Sequence, residues 1–382
     1  MINMDFELYN ILYPVAAPEK IKTPRLLVFH ERVQANIERM QALLSDVHPF
    51  LGLKHLCPHV KTHKSVWIVR ELARRGVTDF KATPHELPLL IDAEVPVIFL
   101  AYPCLSETAQ EIAKLQRAYT HIEFRVQVGC RKHVDILRTA GEGRVHWRYY
   151  IDMDVGMHRT GAAPWDVWDL YVYTSNWSSM KFSGFHAYDG HIHSKDAEER
   201  EQMSRTSMKI IEQTYRFFLQ HHVHVPEIIT GGTPSFLHDA NYVNQSSMAD
   251  AQIKYSPGTW VLSDTQTMEI FPDSFPPAAL ILSRIIDKPN MSTLTLNVGH
   301  KGWSADQGPV HVFNIPDVRP VMWNEEHTVL EGAGAEQSEI GDYVLVAPRH
   351  ICPTVNLWEF FTVIANDGSI MHEISMVDGR NR

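Results

Sequence analysis

Cys57-Pro58-His59-Val60-Lys61-Thr62-His63-Lys64-Ser65 stands where an apolar run (Leu51, Leu53, Leu56) gives way to residues at helical spacing (Val66, Val69, Leu72-Ala73). A strand that ends in a loop and passes into a helix is one turn of a βα repeat. Outward from it the same alternation recurs. Strands are expected at Lys54–Pro58, Asp79–Ala82, Pro96–Ala101, Ile122–Val128, Val145–Asp152, Lys181–Ala187, Glu227–Thr230 and Ile253–Ser256. Helical patterns lie between them, among them Glu107–Tyr119 and the long, strongly charged Ala197–His221. Eight strands alternating with helices predict an α/β fold, a (β/α)8 TIM barrel rather than an open sheet.

After Val261 the texture changes. Turns rich in proline (Pro272, Pro276-Pro277, Pro289) separate short apolar segments at Ala279–Ile286, Thr293–Val298, Tyr343–Ala347 and Phe360–Ile364. These predict a second, β-rich C-terminal domain. The expected division is a barrel over 25–262 and a β-rich, metal-binding domain over 263–382, with residues 1–24 packing on the latter. Arg25–Phe29 and a helix at Arg32–Leu44 precede the first barrel strand, which brings the amino terminus towards the β domain.

The 382 residues, 44% hydrophobic and 21% charged, describe a globular protein with ample core. A net charge of -10 argues against nucleic acid as a partner. No apolar run approaches the ~20 residues of a membrane span. Met1 to Asn10 carries Asp5 and Glu7 where a signal peptide would carry lysines and an apolar stretch. Four cysteines without a CxxC give no disulfide framework, and a cytoplasmic location follows.

Five constellations bear chemistry. Lys61, at the carboxyl end of a barrel strand with His59, His63 and Lys64 around it, is placed as a carbonyl-binding amine; such an amine must lose its proton, which burial and cationic neighbours favour. Thr230-Gly231-Gly232-Thr233 and Ser256-Pro257-Gly258-Thr259 follow the seventh and eighth strands, where barrel enzymes bind phosphate. Asp154 to Gly161 contains Arg159, which reads equally well as an oxyanion donor and as part of a helix-capping loop. Tyr188-Asp189-Gly190-His191-Ile192-His193 offers His193 as a general base or substrate contact more readily than as a metal ligand. Last, His350-Ile351-Cys352 reads as a two-point metal clamp, on the premise that alternate residues of an extended segment share a face. On spacing alone, a buried thiol and a hydrogen-bonded histidine are the favoured reading.

Together these residues resemble the D-serine dehydratase and D-threonine aldolase family, fold-type III enzymes that use pyridoxal 5′-phosphate. The resemblance runs in order over nearly the whole chain. It takes in Thr23-Pro24, Asn36-Ile37, the Pro58–Lys64 motif, Asp154–Gly161, Ala187–Gly190, Gly231–Thr233 and Pro257–Thr259. It continues through Gly299-His300-Lys301, Asp306–Pro309, Glu325-Glu326-His327 and His350–Asn356. It implies that Lys61 carries the cofactor and that Arg159, Tyr188, Gly231, Gly232, Thr233, Gly258 and Thr259 bind it. It further implies that His350 and Cys352 hold a divalent metal and that the protein is a homodimer acting on a small D-amino acid. Cys57 departs from a frequent arginine, His30 and Asn297 from frequent aspartates. Trp358-Glu359-Phe360-Phe361 is bulkier than the usual continuation, and Val377–Arg380 only loosely echoes the family's ending.

In that family dehydratases tend to present His-x-Cys and aldolases His-x-Asp, so Cys352 points to dehydration and deamination of a D-serine-like substrate. The alternatives are a D-threonine-type aldolase and an amino-acid racemase. A soft thiolate favours zinc, with manganese and magnesium as alternatives.

Overall fold

The computed structural model describes residues 12–248, 250–376 and 379–380. The amino-terminal stretch at 1–11 and the Val377-Asp378 part of the terminal echo lie outside the described residues. In chain order the elements open with β1 (Arg25–Phe29), α1 (His30–Val47), α2 (Val66–Arg74), β2 (Asp79–Ala82), α3 (Leu87–Asp92) and β3 (Val97–Pro103). Next come α4 (Ser106–Ala118), β4 (Glu123–Val128), α5 (Arg131–Gly141), β5 (Trp147–Asp152), α6 (Val167–Ser175) and β6 (Met180–Ala187). Then follow α7 (Ala197–Gln220), β7 (Glu227–Thr230), α8 (Phe236–Asn244), β8 (Ile253–Tyr255) and α9 (Thr265–Ile270). The remainder is β9 (Ala279–Asn290), β10 (Thr293–Leu296), β11 (His311–Val312), β12 (Val318–Trp323), β13 (Thr328–Gly332), β14 (Tyr343–Ala347), α10 (Ile351–Asn356), β15 (Phe360–Ile364) and β16 (Ile370–Met376).

Two compact units result. One comprises 40–61 and 66–258 and contains the parallel sheet β2-β3-β4-β5-β6-β7-β8. Its strands are largely buried, as strands covered by helices must be, and carry polar residues such as Lys81, Gln127 and Asp152 among the apolar ones. The expected first strand, Lys54–Pro58, is not a regular strand. Leu56 bridges Tyr255 of β8 and His59 bridges Lys81 of β2, so this segment touches both edges of the sheet and closes it. Cys57 N–H donates to Tyr255 O (2.8 Å) and Lys81 N–H to Pro58 O (2.9 Å). One-turn 3₁₀ helices at Leu53–His55 and Val60–Thr62 leave no length for a ladder. Cys57, Phe99, Tyr150 and Ile229 meet inside the sheet's curve. Arg125, Glu227, Asp79 and Lys254, which reside at or near strand starts, form an ion-pair cluster. That cluster fastens the end of the barrel remote from the strand-to-helix loops.

The other unit comprises residues up to 39, 62–65 and 259–380. Its sheet runs β12-β13-β10-β9-β1-β15-β16, with β14 pairing β9 and β11. β1 is thus a strand of the β-rich sheet, antiparallel to β9 and parallel to β15. Leu27, Phe29, Leu280, Leu282 and Ile364 pack its core. Buried Asn36 donates to Val261 O and Pro276 O, so this motif residue is a structural tie. Asn297 is another: it accepts from Ser283 Oγ and Arg284 N–H and donates to Thr23 Oγ1.

Candidate active site

The barrel unit gathers its chemistry at the carboxyl ends of its strands. Half-buried Lys61 sits in the 3₁₀ turn after the closing segment, and its N–H donates to His59 Nδ1 (3.2 Å). That bond turns the backbone at the mouth of the sheet. Lys64, two residues into the other unit, is buried with φ 47°.

A second lysine was not singled out by the sequence. Lys81, in β2, is 2% exposed, and its Nζ lies 2.9 Å from His186 Nε2 and 3.0 Å from Ser256 Oγ. His186 Nδ1–H donates to Asp152 Oδ1 (2.7 Å), and Gln127 Nε2 donates to Asp152 Oδ2 (3.1 Å). Burial pushes His186 down to about 4, and the Lys81 charge adds to that, so the ring is neutral with Nε2 free to accept. Burial opposes the Asp152 charge, but its hydrogen bonds, His186 first, hold the carboxyl below its usual range. Lys81 itself is pushed down to about 8, first by burial; Lys61 and Arg159 lower it further while Cys57 and Asp152 oppose.

Lys81 lies 5.0 Å from the centroid of the Tyr188 ring and the Arg159 guanidinium 5.3 Å from it. Lys81, Tyr188 and Arg159 therefore converge, with Lys61 within electrostatic reach of Lys81. The Asp154 loop is a turn that caps no helix, since the next helical turn begins at Pro164 after Ala163. Asp154 Oδ1 accepts from Gly156 N–H (3.0 Å) and His158 N–H (2.9 Å), which shapes the turn, while exposed Arg159 extends over Tyr188.

The glycine loop after β7 is built for close approach. Gly231 has φ +77°, a conformation that side chains disfavour, and a Cβ there would lie 2.9 Å from Asp239 Oδ2. A Cβ at Gly232 would meet Tyr188 at 3.4 Å and Pro234 at 3.7 Å, ordinary contact distances. Gly232 N–H donates to Ser235 Oγ (2.9 Å), and Ser256 Oγ donates to Gly231 O (2.7 Å). Behind the loop, buried Asp189 and Asp239 face each other; burial raises both carboxyls, and Ser204 and Thr230 donate to Asp239. This loop has the glycines, hydroxyls and pinned peptide planes of a phosphate cradle, so the residues fit pyridoxal phosphate. We expect Gly232→Leu to weaken retention of pyridoxal phosphate by about tenfold or more while the melting temperature moves little, because the bare site accepts a Cβ and the phosphate would not. Unchanged retention would misplace the cradle.

His193 is exposed, whereas His191 is half-buried with its ring 3.1 Å from where a Gly156 Cβ would stand. Among the described residues, Lys81 Nζ is hydrogen-bonded to His186 and Ser256 rather than to either of these histidines.

The β-rich unit holds the other constellation. His350 and Cys352 are hydrogen-bonded to each other. The expected extended segment is absent: His350 is the N-cap of α10 and Cys352 lies in its first turn. Buried Asp264 accepts the Ile351 N–H (3.0 Å), so the backbone enters a helix there and the pair meets around a cap. His350 Nδ1 is 2.6 Å from Asp306 Oδ2, which leaves Nε2 for a ligand role. The Thr62 and Thr259 hydroxyls lie 3.2 and 3.8 Å from Cys352 Sγ. Among the described residues no group of three or more His, Cys, Asp or Glu is placed to hold a metal. A carboxylate-oriented imidazole beside a thiol nevertheless fits a two-ligand metal site. Thr259, expected on the phosphate, is here a neighbour of Cys352. Asp306 stood in the Asp306–Pro309 motif, and nothing local marked it as the partner of His350.

A parallel barrel with a lysine, a glycine cradle and an arginine at its strand ends, in a chain with an appended β-rich unit, is the fold of alanine-racemase-like enzymes. The chain belongs to the family "Alanine racemase, N-terminal domain", whose model matches residues 30–247. A second model, "Putative serine dehydratase domain", matches 278–364. The D-threonine aldolase of Arthrobacter sp is 25% identical over 92% of this chain and 91% of its own length. Among solved structures, D-threonine aldolase from Filomicrobium marinum superposes with a TM-score of 0.85 at 20% identity, covering 94% of this chain and 96% of that one. D-threo-3-hydroxyaspartate dehydratase from Delftia sp. HT23 gives 0.79 at 20% identity, covering 93% and 97%. A cysteine-to-alanine variant of the latter enzyme is known in a metal-free form.

Proposed function

We propose that this protein is a lyase that uses pyridoxal 5′-phosphate and a divalent metal to remove water from a D-3-hydroxy amino acid, giving a 2-oxo acid and ammonia. One observation carries the reading: a chain with an amine and a phosphate cradle at its barrel mouth also carries a thiol beside an imidazole whose far nitrogen is held by a carboxylate. When bound, the cofactor supplies an electron sink for the α-carbon, and the metal supplies Lewis acidity at the β-hydroxyl.

The chain's own residues do the rest. Lys61 Nζ would hold the cofactor and is the base placed to take the α-proton. The Gly231–Thr233 and Gly258–Thr259 loops hold the phosphate. Arg159 and Tyr188 would contact the cofactor ring, Arg159 as a donor to its phenolic oxygen. His350 Nε2 and Cys352 Sγ hold the metal, and zinc suits a thiolate best, ahead of manganese and magnesium. His193, exposed, has at most an auxiliary part in dehydration. The active form is a cytoplasmic homodimer in this reading. No helix among the described residues is long and apolar enough to cross a membrane.

Aldol cleavage is the second reading, favoured by the activity named for two of the relatives above. It would assign His193 to deprotonating the hydroxyl, with glycine and an aldehyde as products. Racemisation is separated by incubating the enzyme with D- and L-alanine in heavy water. The lyase reading expects no interconversion of the enantiomers; efficient racemisation with deuterium at the α-carbon, unaffected by chelation, would replace it with a racemase.

A further inference from the structure

Lys81 is a buried amine that the mechanism above does not use, and it stands at the centre of a hydrogen-bonded chain across the barrel. From β4 to β7 the chain runs Gln127, Asp152, His186, Lys81, Ser256 and the Gly231 carbonyl, drawing on β4, β5, β6, β2, the loop after β8 and the loop after β7. Its polarity is fixed at every link. Asp152 can only accept, so His186 presents Nδ1–H to it and a bare Nε2 to Lys81. Ser256 spends its one proton on Gly231 O and must therefore accept from Lys81 Nζ.

The end of this chain is the peptide between Gly231 and Gly232. Its carbonyl is held by Ser256 and its N–H by Ser235, so the plane is pinned on both sides. Ser256 also joins the two loops of the cradle, since its N–H donates to Thr230 O (2.9 Å). Glycines have no side chain to hold a plane in place, and without the Lys81 donor the Ser256 hydroxyl is free to rotate off Gly231 O.

We propose that Lys81 is a positioning residue for the cofactor's phosphate, acting through Ser256 to set the Gly231–Gly232 peptide. The inference rests on the reading of this unit as the pyridoxal-phosphate barrel. The charge balance of Lys81 against Asp152 across a neutral His186 explains how a cation is kept in the barrel interior.

The test compares two probes on the cofactor-stripped full-length protein: pyridoxal 5′-phosphate and pyridoxal, which lacks the phosphate. Binding is followed by visible absorbance in wild type, Lys81→Met and Ser256→Ala, with circular dichroism and melting to confirm folding. The expected result is a loss of affinity for pyridoxal phosphate of about tenfold or more in both variants, with pyridoxal affinity within about twofold of wild type. Equal losses for the two probes, or no loss, would overturn the proposal, since a general structural role does not distinguish them. If Lys81→Met does not fold, Ser256→Ala decides by the same criterion. A wild-type protein that takes up no pyridoxal phosphate would overturn the functional reading itself, and this inference with it.

Discussion

Lys61→Ala is expected to purify without bound chromophore and to lose about 1,000-fold or more of its turnover. Two roles fall together in this substitution. In the proposed function the Nζ would hold the cofactor and would also be the base for the α-proton. Non-covalent contacts at the Gly231–Thr233 loop, Arg159 and Tyr188 remain, so added pyridoxal phosphate should still bind, but weakly. Borohydride treatment of the wild-type protein should fix the cofactor to a peptide that contains Lys61. Fixation to Lys64 or Lys81 would refute the assignment. Both deserve the comparison because both are buried lysines close by in the sequence or the sheet.

The second large effect is expected at Cys352. Cys352→Ala should lose the metal and on the order of 100-fold or more of the activity while the cofactor's visible band stays. The separation follows from where the residues lie. His350, Cys352 and Asp306 belong to the β-rich unit, and Lys61, Arg159, Tyr188 and the glycine loop to the barrel unit. Metal content by elemental analysis and absorbance of the same sample read the two independently. Loss of the chromophore along with the metal would contradict the division of labour. Retention of full activity in a chelated, metal-free protein would remove the metal from the account.

The barrel was legible because short strand-like segments alternate with amphipathic helices, and β2 and β7 coincide with their expected spans. The closing segment was not legible as what it is. Leu56 to His59 has strand-like residues, but it serves two sheet edges through single bridges, and only the closed barrel shows that. Pairing of β1 with β9 and β15 joins residues more than 200 positions apart, beyond the reach of any local pattern.

Among the candidate site residues, motif order pointed to those on loops, whereas partners within strands stayed hidden. Lys81 reads as one polar residue in Asp79-Phe80-Lys81-Ala82, and its burial becomes visible only when His186 and Ser256 arrive from other strands. Asp306 is 44 residues from His350. The His-x-Cys spacing was read with a period of two, while the Asp264 cap turns the same residues into a helix start. The pair was found for the wrong geometric reason.

The central claim is the fate of the β-hydroxyl, and the products decide it. Purified protein loaded with pyridoxal phosphate and zinc is incubated with D-serine, D-threonine and D-3-hydroxyaspartate, and 2-oxo acid, ammonia, glycine and aldehyde are quantified. The account predicts 2-oxo acid and ammonia in equal amounts, with neither formed after chelation. Glycine and an aldehyde as the main products would contradict it and make this chain an aldolase.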